Sequence, residues 1–317
     1  MKLLLPDHLV ERLREPVCRI APDCEVVPLG PDGEVTEPLE EADVLFLRWG
    51  LSPEATRRLL TRVPNLRWVH TISAGVDHLL FPELRESDAI LTNASGVFNI
   101  PIAETVMAYI LAVVKRLPEF LAQQREHRWE KLPLRELGGL TVGIVGLGDI
   151  GTEVARLCRA FGMHVLGLRR RPAPSDVADE VLPPDCLHDL LARSDFVVIA
   201  APLTAETRGM IGRAELAAMK PDAWLINISR GAIVDEEALV EALREGRIGG
   251  ACLDVFAEEP LPPESPLWDM PNVIITPHNS WSSPRIEERE IALFLENLRR
   301  YVAGEPLLNV VDKQAGY

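Results

Sequence analysis

Residues 141 to 151 read Thr-Val-Gly-Ile-Val-Gly-Leu-Gly-Asp-Ile-Gly, an apolar run that breaks into glycines at 146, 148 and 151. The run has the composition of a buried strand, and helical spacing takes over from Val154 to Phe161. Few junctions constrain a fold as tightly, because each glycine meets a separate demand. Gly146 permits the tight turn, Gly148 lets the backbone approach a pyrophosphate, and Gly151 lets the helix pack against the strand. The helix N-terminus then offers N–H groups to phosphate oxygens. A lone GxGxxG is a weak signal, but between a strand and a helix it specifies a dinucleotide-binding βαβ unit, with Asp149 and Ile150 inside the phosphate cradle.

The strands of such a unit should continue in series, and short apolar runs do recur. Val142 to Val145, His164 to Leu168, Phe196 to Ile199, Trp224 to Ile228, Ala251 to Val255 and Val273 to Thr276 have helical stretches between most of them. One helix is well punctuated, with Asp235 as cap, Glu236 and Glu237 at its positive end and Gly246 at its close. Six strands in this order predict a doubly wound Rossmann sheet. Ahead of it, Lys2 to Leu5, Val44 to Leu47 and Leu66 to Ile72 read as buried strands, and Ser52-Pro53-Glu54 opens a helix. A long helical stretch runs from Pro101 through Val114 until Pro118 interrupts it, and a last amphipathic helix is expected from Pro284 to Tyr301. At 317 residues the chain exceeds one ordinary core, so two α/β domains with parallel sheets are expected.

Charge narrows the partners. A net charge of -15 repels nucleic acid phosphates and anionic membrane surfaces, and the only dense basic stretch is Arg169-Arg170-Arg171. No apolar run approaches the length that crosses a bilayer, and Met1 to Leu5 is cut short by Pro6-Asp7, unlike a signal peptide. A soluble, cytoplasmic protein is expected. The five cysteines, at 18, 24, 158, 186 and 252, form no CxxC pair and read as reduced, mostly buried thiols. The histidines show no HxxxH or HExxH, so no metal is expected.

Local cations must then bind any anionic ligand. About 20 residues past the glycines, at the next strand end, an NAD enzyme places Asp or Glu against the ribose 2′-hydroxyl. Here that place holds Arg169, followed by Arg170. A guanidinium binds a 2′-phosphate with paired charge-assisted hydrogen bonds, where a carboxylate would repel it. NADP(H) is therefore the expected cofactor, with NAD(H) possible; the lesser alternative is a solvated charge run before Pro172.

Three later residues suit hydride chemistry at a ketone, which needs a cation for the substrate and an acid for the proton. Arg230 follows the strand ending in Ile228, within Asn227-Ile228-Ser229-Arg230-Gly231. Glu259 lies in Asp254-Val255-Phe256-Ala257-Glu258-Glu259-Pro260, and His278 in Thr276-Pro277-His278-Asn279-Ser280. Each follows a strand end, the edge where ligands of such sheets bind. Singly, each reads more readily as a solvated or hydrogen-bonded loop residue.

Together with the glycine loop, their order and spacing resemble the D-isomer-specific 2-hydroxyacid dehydrogenases over nearly the whole chain. The resemblance implies two doubly wound α/β domains: a Rossmann cofactor domain at 100–283 and a flavodoxin-like substrate domain at 1–99 plus 284–317. It implies hinges near Asn99 and Ser283, and a homodimer with the Trp129 region reaching the partner. Arg230 would bind the substrate carboxylate and carbonyl, His278 would carry the proton, and Glu259 would orient the imidazole. Asp254 resembles the acid that contacts the nicotinamide carboxamide, and Pro202, Thr207, Asn227, Ile228 and Ser229 resemble cofactor contacts. In the first domain, Ser73-Ala74-Gly75-Val76-Asp77-His78 looks like the family's carboxylate loop, with N–H groups near Ala74 and Gly75 holding the substrate. An ordinary strand-to-helix turn capped by Asp77 fits the same residues. Arg48 matches a substrate-binding arginine of some relatives, and Trp49 beside it would shape the pocket.

Two features depart from the family pattern: Asn279-Ser280-Trp281 follows the histidine where many relatives carry Ile and small residues, and no regulatory domain follows Asp312. The activity implied is reduction of a small 2-keto acid of the glyoxylate or hydroxypyruvate type. An NAD-linked glycerate or phosphoglycerate dehydrogenase is one alternative, and a cofactor-sensing, corepressor-like binding protein is another.

Overall fold

The computed structural model describes residues 1–35, 39, 41–47, 51–63 and 65–317. The chain divides into two compact units, Met1–Phe98 with Ser283–Tyr317, and Asn99–Ser282.

The first unit holds strands β1 (Lys2–Pro6), β2 (Glu25–Leu29), β3 (Val44–Leu47), β4 (Trp68–Thr71) and β5 (Ile90–Thr92). They pair in parallel in the order β2-β1-β3-β4-β5, the flavodoxin-like arrangement. Strands β1, β3 and β4 are buried along their whole length, as expected of a sheet covered on both faces, which is why they read as unbroken apolar runs. The helix Asp7–Ile20 buries Leu9, Val10, Leu13 and Val17 at helical spacing. The late helix Ile286–Ala303 returns to the same unit and buries Phe294, whose ring stacks on Phe46 at 4.4 Å and on Trp68 at 5.5 Å. The end of the chain closes on the sheet. Val310 bridges Thr92 in antiparallel sense, Val311 N donates to Leu91 O, and the Lys313 ammonium donates to the carbonyls of Leu84, Ser87 and Ala89.

The second unit contains β6 (Thr141–Val145), β7 (His164–Leu168), β8 (Glu180–Leu182), β9 (Phe196–Ile199), β10 (Trp224–Asn227), β11 (Gly250–Leu253) and β12 (Val273–Ile275). All pair in parallel, in the order β12-β11-β10-β9-β6-β7-β8. The chain starts at β6, runs outward through β7 and β8, then crosses to β9 on the other side. The reversal opens a crevice at the carboxyl ends of β6 and β9. The helix Asp149–Ala160 buries Gly151, Val154, Ala155 and Cys158, and the apolar helix Asn99–Val114 packs on it. Pro118 does more than interrupt that second helix. Arg116 turns left-handed at φ 51°, and Pro118 sits in the first turn of a separate helix, Leu117–Arg125.

Strands β2, β5 and β8 were not expected from the sequence. β5 and β8 have three residues each, and β2 carries Pro28, which an edge strand tolerates because its missing N–H costs no ladder bond on the open side. The cysteines are free thiols, but only Cys158 and Cys252 are buried; Cys18 is exposed, and Cys24 and Cys186 are half-buried. Among the described residues, no helix is long and apolar enough to cross a membrane.

Candidate active site

The glycine loop has the shape its sequence demands. Gly146 adopts φ +102°, and a Cβ there would lie 2.5 Å from the backbone nitrogen of Ala201 at the end of β9. A Cβ on Gly151 would lie 2.1 Å from the Gly146 carbonyl oxygen, so helix and turn meet closer than any side chain allows. Gly148 faces open space, with nothing within 4 Å of a Cβ built on it. It is the N-cap of the helix Asp149–Ala160, and no side chain caps that end. Two glycines thus clamp the turn while the third leaves room before a helix N-terminus, a cradle that fits a pyrophosphate. Gly146 N and Leu147 N both donate to Leu168 O, tying the loop to the end of β7.

At that strand end Arg169, Arg170 and Arg171 are all exposed. Arg170 pairs with Glu206 at 2.7 Å, which joins the β7 end to the loop after β9. That loop is closed by Thr207, whose hydroxyl donates to Pro202 O at 2.6 Å and accepts from Thr204 N at 2.8 Å. Past β10, Asn227 is 1% exposed and builds the next turn: its amide donates to Arg230 O and its carbonyl accepts from Ser229 N. Ser229 donates to Ala201 O, and Ile228 is buried.

Arg230, Glu259 and His278 lie in three loops at the carboxyl ends of β10, β11 and β12. His278 Nδ1 and Glu259 Oε2 are 2.7 Å apart, and Glu259 Oε1 accepts from Phe256 N at 3.0 Å. Burial pushes the Glu259 carboxyl upward, but the His278 and Phe256 hydrogen bonds and the His278 and Arg230 charges outweigh it. The group is held below the usual carboxylate range. Glu259 is therefore an anion across the neutral range, and His278 Nε2 is the ring atom left for chemistry. Gly231, not singled out from the sequence, makes the juxtaposition possible. A Cβ on it would stand 1.9 Å from the Phe256 carbonyl carbon, so the Arg230 loop lies directly on the backbone leading to Glu259. A glycine following an arginine at a strand end was the available signal.

Asp254 is fully buried, and both its oxygens take donors from residues 276–280. Its carboxylate is turned into the loop that carries His278, a role its sequence position did not reveal. Trp281 Nε1 donates to His278 O at 2.9 Å.

In the first unit, the Ala74 carbonyl accepts from Asn93 Nδ2 at 2.8 Å, and the Ser73 carbonyl accepts from Ala94 N at 3.0 Å. Among the described residues, no acceptor is bonded by the N–H groups of Ala74 and Gly75. No helix starts at Asp77. Residues 77–79 form a turn, and the next helix is Pro82–Arg85 with Phe81 as its N-cap, which corrects the strand-to-helix reading of this loop. Arg48 and Trp49 lie outside the described residues. His70 is fully buried among Phe46, Trp68 and Phe294, and burial pushes its pKa down to about 3. It is a neutral core residue.

A family model for the NAD binding domain of D-isomer specific 2-hydroxyacid dehydrogenases matches residues 107–280. The chain is 40% identical over 272 residues to glyoxylate/hydroxypyruvate reductase B of Pectobacterium carotovorum, covering 84% of this chain and 85% of that one. It is 36% identical over 283 residues to D-3-phosphoglycerate dehydrogenase of Methanocaldococcus jannaschii, covering 88% of this chain but 53% of the other, so it spans about half that relative's length. It resembles an NADPH-dependent glyoxylate/hydroxypyruvate reductase from Sinorhizobium meliloti, solved with NADP and sulfate. The TM-score is 0.86 and the identity 33%, over 100% of this chain and 99% of that one. The chain belongs to the D-isomer specific 2-hydroxyacid dehydrogenase family. It is an oxidoreductase that uses a nicotinamide cofactor.

Proposed function

We propose that this enzyme reduces a small 2-keto acid of the glyoxylate or hydroxypyruvate type to the D-2-hydroxy acid, preferring NADPH. The observation that carries the reading is the His278–Glu259 pair at 2.7 Å, at the same sheet edge as Arg230. With its pyrophosphate in the glycine cradle, the cofactor would supply from its nicotinamide the hydride that C2 of the substrate accepts. Arg230 binds the substrate carboxylate and the carbonyl oxygen, on which charge gathers as C2 is reduced. His278 gives its Nε2 proton to that oxygen, and Glu259 stabilises the imidazolium beforehand by accepting from Nδ1. In the reverse direction His278 takes the hydroxyl proton. The N–H groups of Ala74 and Gly75 are assigned to the substrate carboxylate, and Arg48 to the substrate.

The cofactor preference rests on Arg169 and Arg170, where a ribose-binding carboxylate would otherwise stand. The relative from Sinorhizobium meliloti supports it as an NADPH-dependent enzyme. Asp149, Ile150, Pro202, Thr207, Asn227, Ile228 and Ser229 are assigned to the cofactor side of the site, whereas the Asp254 carboxylate is engaged by the loop that carries His278.

The test is oxidation of NADPH and of NADH with glyoxylate, hydroxypyruvate, pyruvate and larger 2-keto acids. The reading expects turnover of the smallest acids and a Michaelis constant for NADPH well below that for NADH. A preference for NADH would remove the Arg169 argument, and no activity on any acid would leave a binding protein. His278→Gln should cut turnover by about 10²-fold or more with NADPH affinity little changed. Near-normal turnover would overturn the proton role. A second reading, oxidation of 3-phosphoglycerate with NAD, is favoured by the Methanocaldococcus jannaschii relative and is checked by adding that substrate.

A further inference from the structure

The turn that presents His278 is held from beneath. His278 has φ 48°, a left-handed conformation that costs a non-glycine residue about 1 kcal/mol or more and persists only where the surroundings impose it. Asp254 imposes it. The Asp254 main-chain carbonyl accepts from His278 N at 2.8 Å. Its carboxylate accepts at Oδ1 from the Thr276 hydroxyl and from Asn279 N at 3.0 Å, and at Oδ2 from the hydroxyl and N–H of Ser280. Of the five residues 276–280, only Pro277, which has no N–H, is not bonded to Asp254.

The network reaches one step further, to the helix Asn99–Val114. Tyr109, 4% exposed, places its hydroxyl 2.5 Å from Thr276 Oγ1. A hydroxyl carries one proton, and Thr276 gives its own to the Asp254 carboxylate, which cannot donate. The Tyr109 hydroxyl is therefore the donor to Thr276. The order of donation is Tyr109 to Thr276 to Asp254, each proton pointing towards the buried Asp254 carboxylate. Thr105, one helical turn before Tyr109, donates its hydroxyl to Pro101 O at 3.0 Å and lies 3.5 Å from the Ser280 carbonyl oxygen, so the support from this helix comes through Tyr109.

We propose that Tyr109 and Thr276 are positioning residues for proton transfer: through Asp254 they fix the turn that aims the His278 imidazole between Glu259 and the substrate. The inference rests on His278 being the proton carrier. Removing the Thr276 hydroxyl takes one donor from Asp254 and strands the buried Tyr109 hydroxyl. The turn then loses one of its five bonds to Asp254, and the geometry that holds the 2.7 Å contact with Glu259 loosens. The charged groups about the ring and its turn are Glu259, Arg230 near Glu259, Asp254 beneath, and Glu236, which accepts from Ala257 N. Of these, Glu259 is bonded to the ring itself, so opening that contact removes the anion that favours the charged imidazole.

The experiment compares Thr276→Val, Thr276→Ser and Tyr109→Phe with the unaltered enzyme, in kcat and in the pH profile of kcat/KM for reduction. Thr276→Val should lose about 10- to 100-fold in kcat, the scale of an ångström of misplacement, with its alkaline limb displaced to lower pH. Thr276→Ser keeps the hydroxyl and should stay within about twofold of the original. Tyr109→Phe should lose about three- to tenfold and move the limb in the same direction, since one donor is removed and the ring packing is kept. NADPH affinity, measured by fluorescence titration, should be unchanged in all three. Tyr109→Phe decides the matter if Thr276→Val does not fold. Unmoved alkaline limbs, or losses of activity that merely follow a lower Tm, would overturn the proposal. A fully active His278→Gln would overturn it together with the proton role, whereas an inactive His278→Gln beside normal Tyr109→Phe and Thr276→Val would overturn it alone.

Discussion

Replacing Gly231 by alanine should inactivate the enzyme without touching any group that reacts. The added Cβ would stand 1.9 Å from the Phe256 carbonyl carbon, 2.0 Å from its oxygen and 2.4 Å from Ala257 N. Carbon atoms in contact sit about 3.5 Å apart, so the two segments must separate by about 1.6 Å, the difference between 3.5 and 1.9. These three nearest atoms are all backbone, so the clash is not relieved by a side chain swinging aside. Nor is the Phe256 side free to yield, because Phe256 N is held by Glu259 Oε1 and Ala257 N by Glu236 Oε2. Whichever segment moves, Arg230 shifts relative to Glu259 and His278. An ångström of misplacement costs about 10²-fold, so kcat should fall by at least about 100-fold, or about 2.7 kcal/mol of transition-state stabilisation. Overpacking of this kind also lowers stability by about 1–3 kcal/mol. The assay is steady-state reduction of the best keto acid, with NADPH binding followed separately by fluorescence so that lost turnover is distinguished from lost cofactor. A variant with kcat within threefold of the original and an unchanged Tm would show that the loops absorb the methyl group without moving Arg230, and would refute the reasoning.

Glu259→Gln keeps the shape of the pair but removes the anion that stabilises the imidazolium. Reduction should slow by about 10- to 100-fold and its alkaline limb should move to lower pH, whereas a limb that stays in place would show that Glu259 does not govern the proton. His70 makes stability depend on pH. Its folded pKa of about 3 lies below the unfolded value of about 6.5, so below pH 6.5 the unfolded chain binds a proton that the folded one refuses. Stability is complete above pH 6.5 and declines as pH falls towards 3, by about 2 kcal/mol between pH 6.5 and 5. Urea unfolding at pH 7.5 and 5 should show that extra loss in the original chain and not in His70→Leu; equal losses in both would dismiss His70 as the cause.

The residues that were legible from the sequence are those whose chemistry is local. Gly146 and Gly151 announce a turn no other residue can make, and the two packing distances explain why. Arg230, Glu259 and His278 could be placed because each stands just past an apolar run, and parallel strands bring their carboxyl ends to one edge. What escaped depends on distant partners. Asp254 sits at a strand end like the others, but its surroundings come from residues more than twenty positions away, which turn it into the loop. Tyr109 reads as one more apolar position of a helix, and its bond to Thr276 spans 167 residues. Strand β8 was missed because Glu180–Leu182 has too few residues to show a period, and its place follows only from pairing with β7.

The closing of the first unit by the end of the chain has a consequence for how the protein is born. On the ribosome, β1 to β5 emerge before residues 99–282, yet the helix that seats Phe294 on Phe46 and Trp68, and the Lys313 ammonium that satisfies three carbonyls, are made after them. Residues 99–282 form a continuous unit and are complete before that. Synthesis therefore finishes the second unit while the first still waits for its final helix, reversing the usual order in which the N-terminal domain matures first.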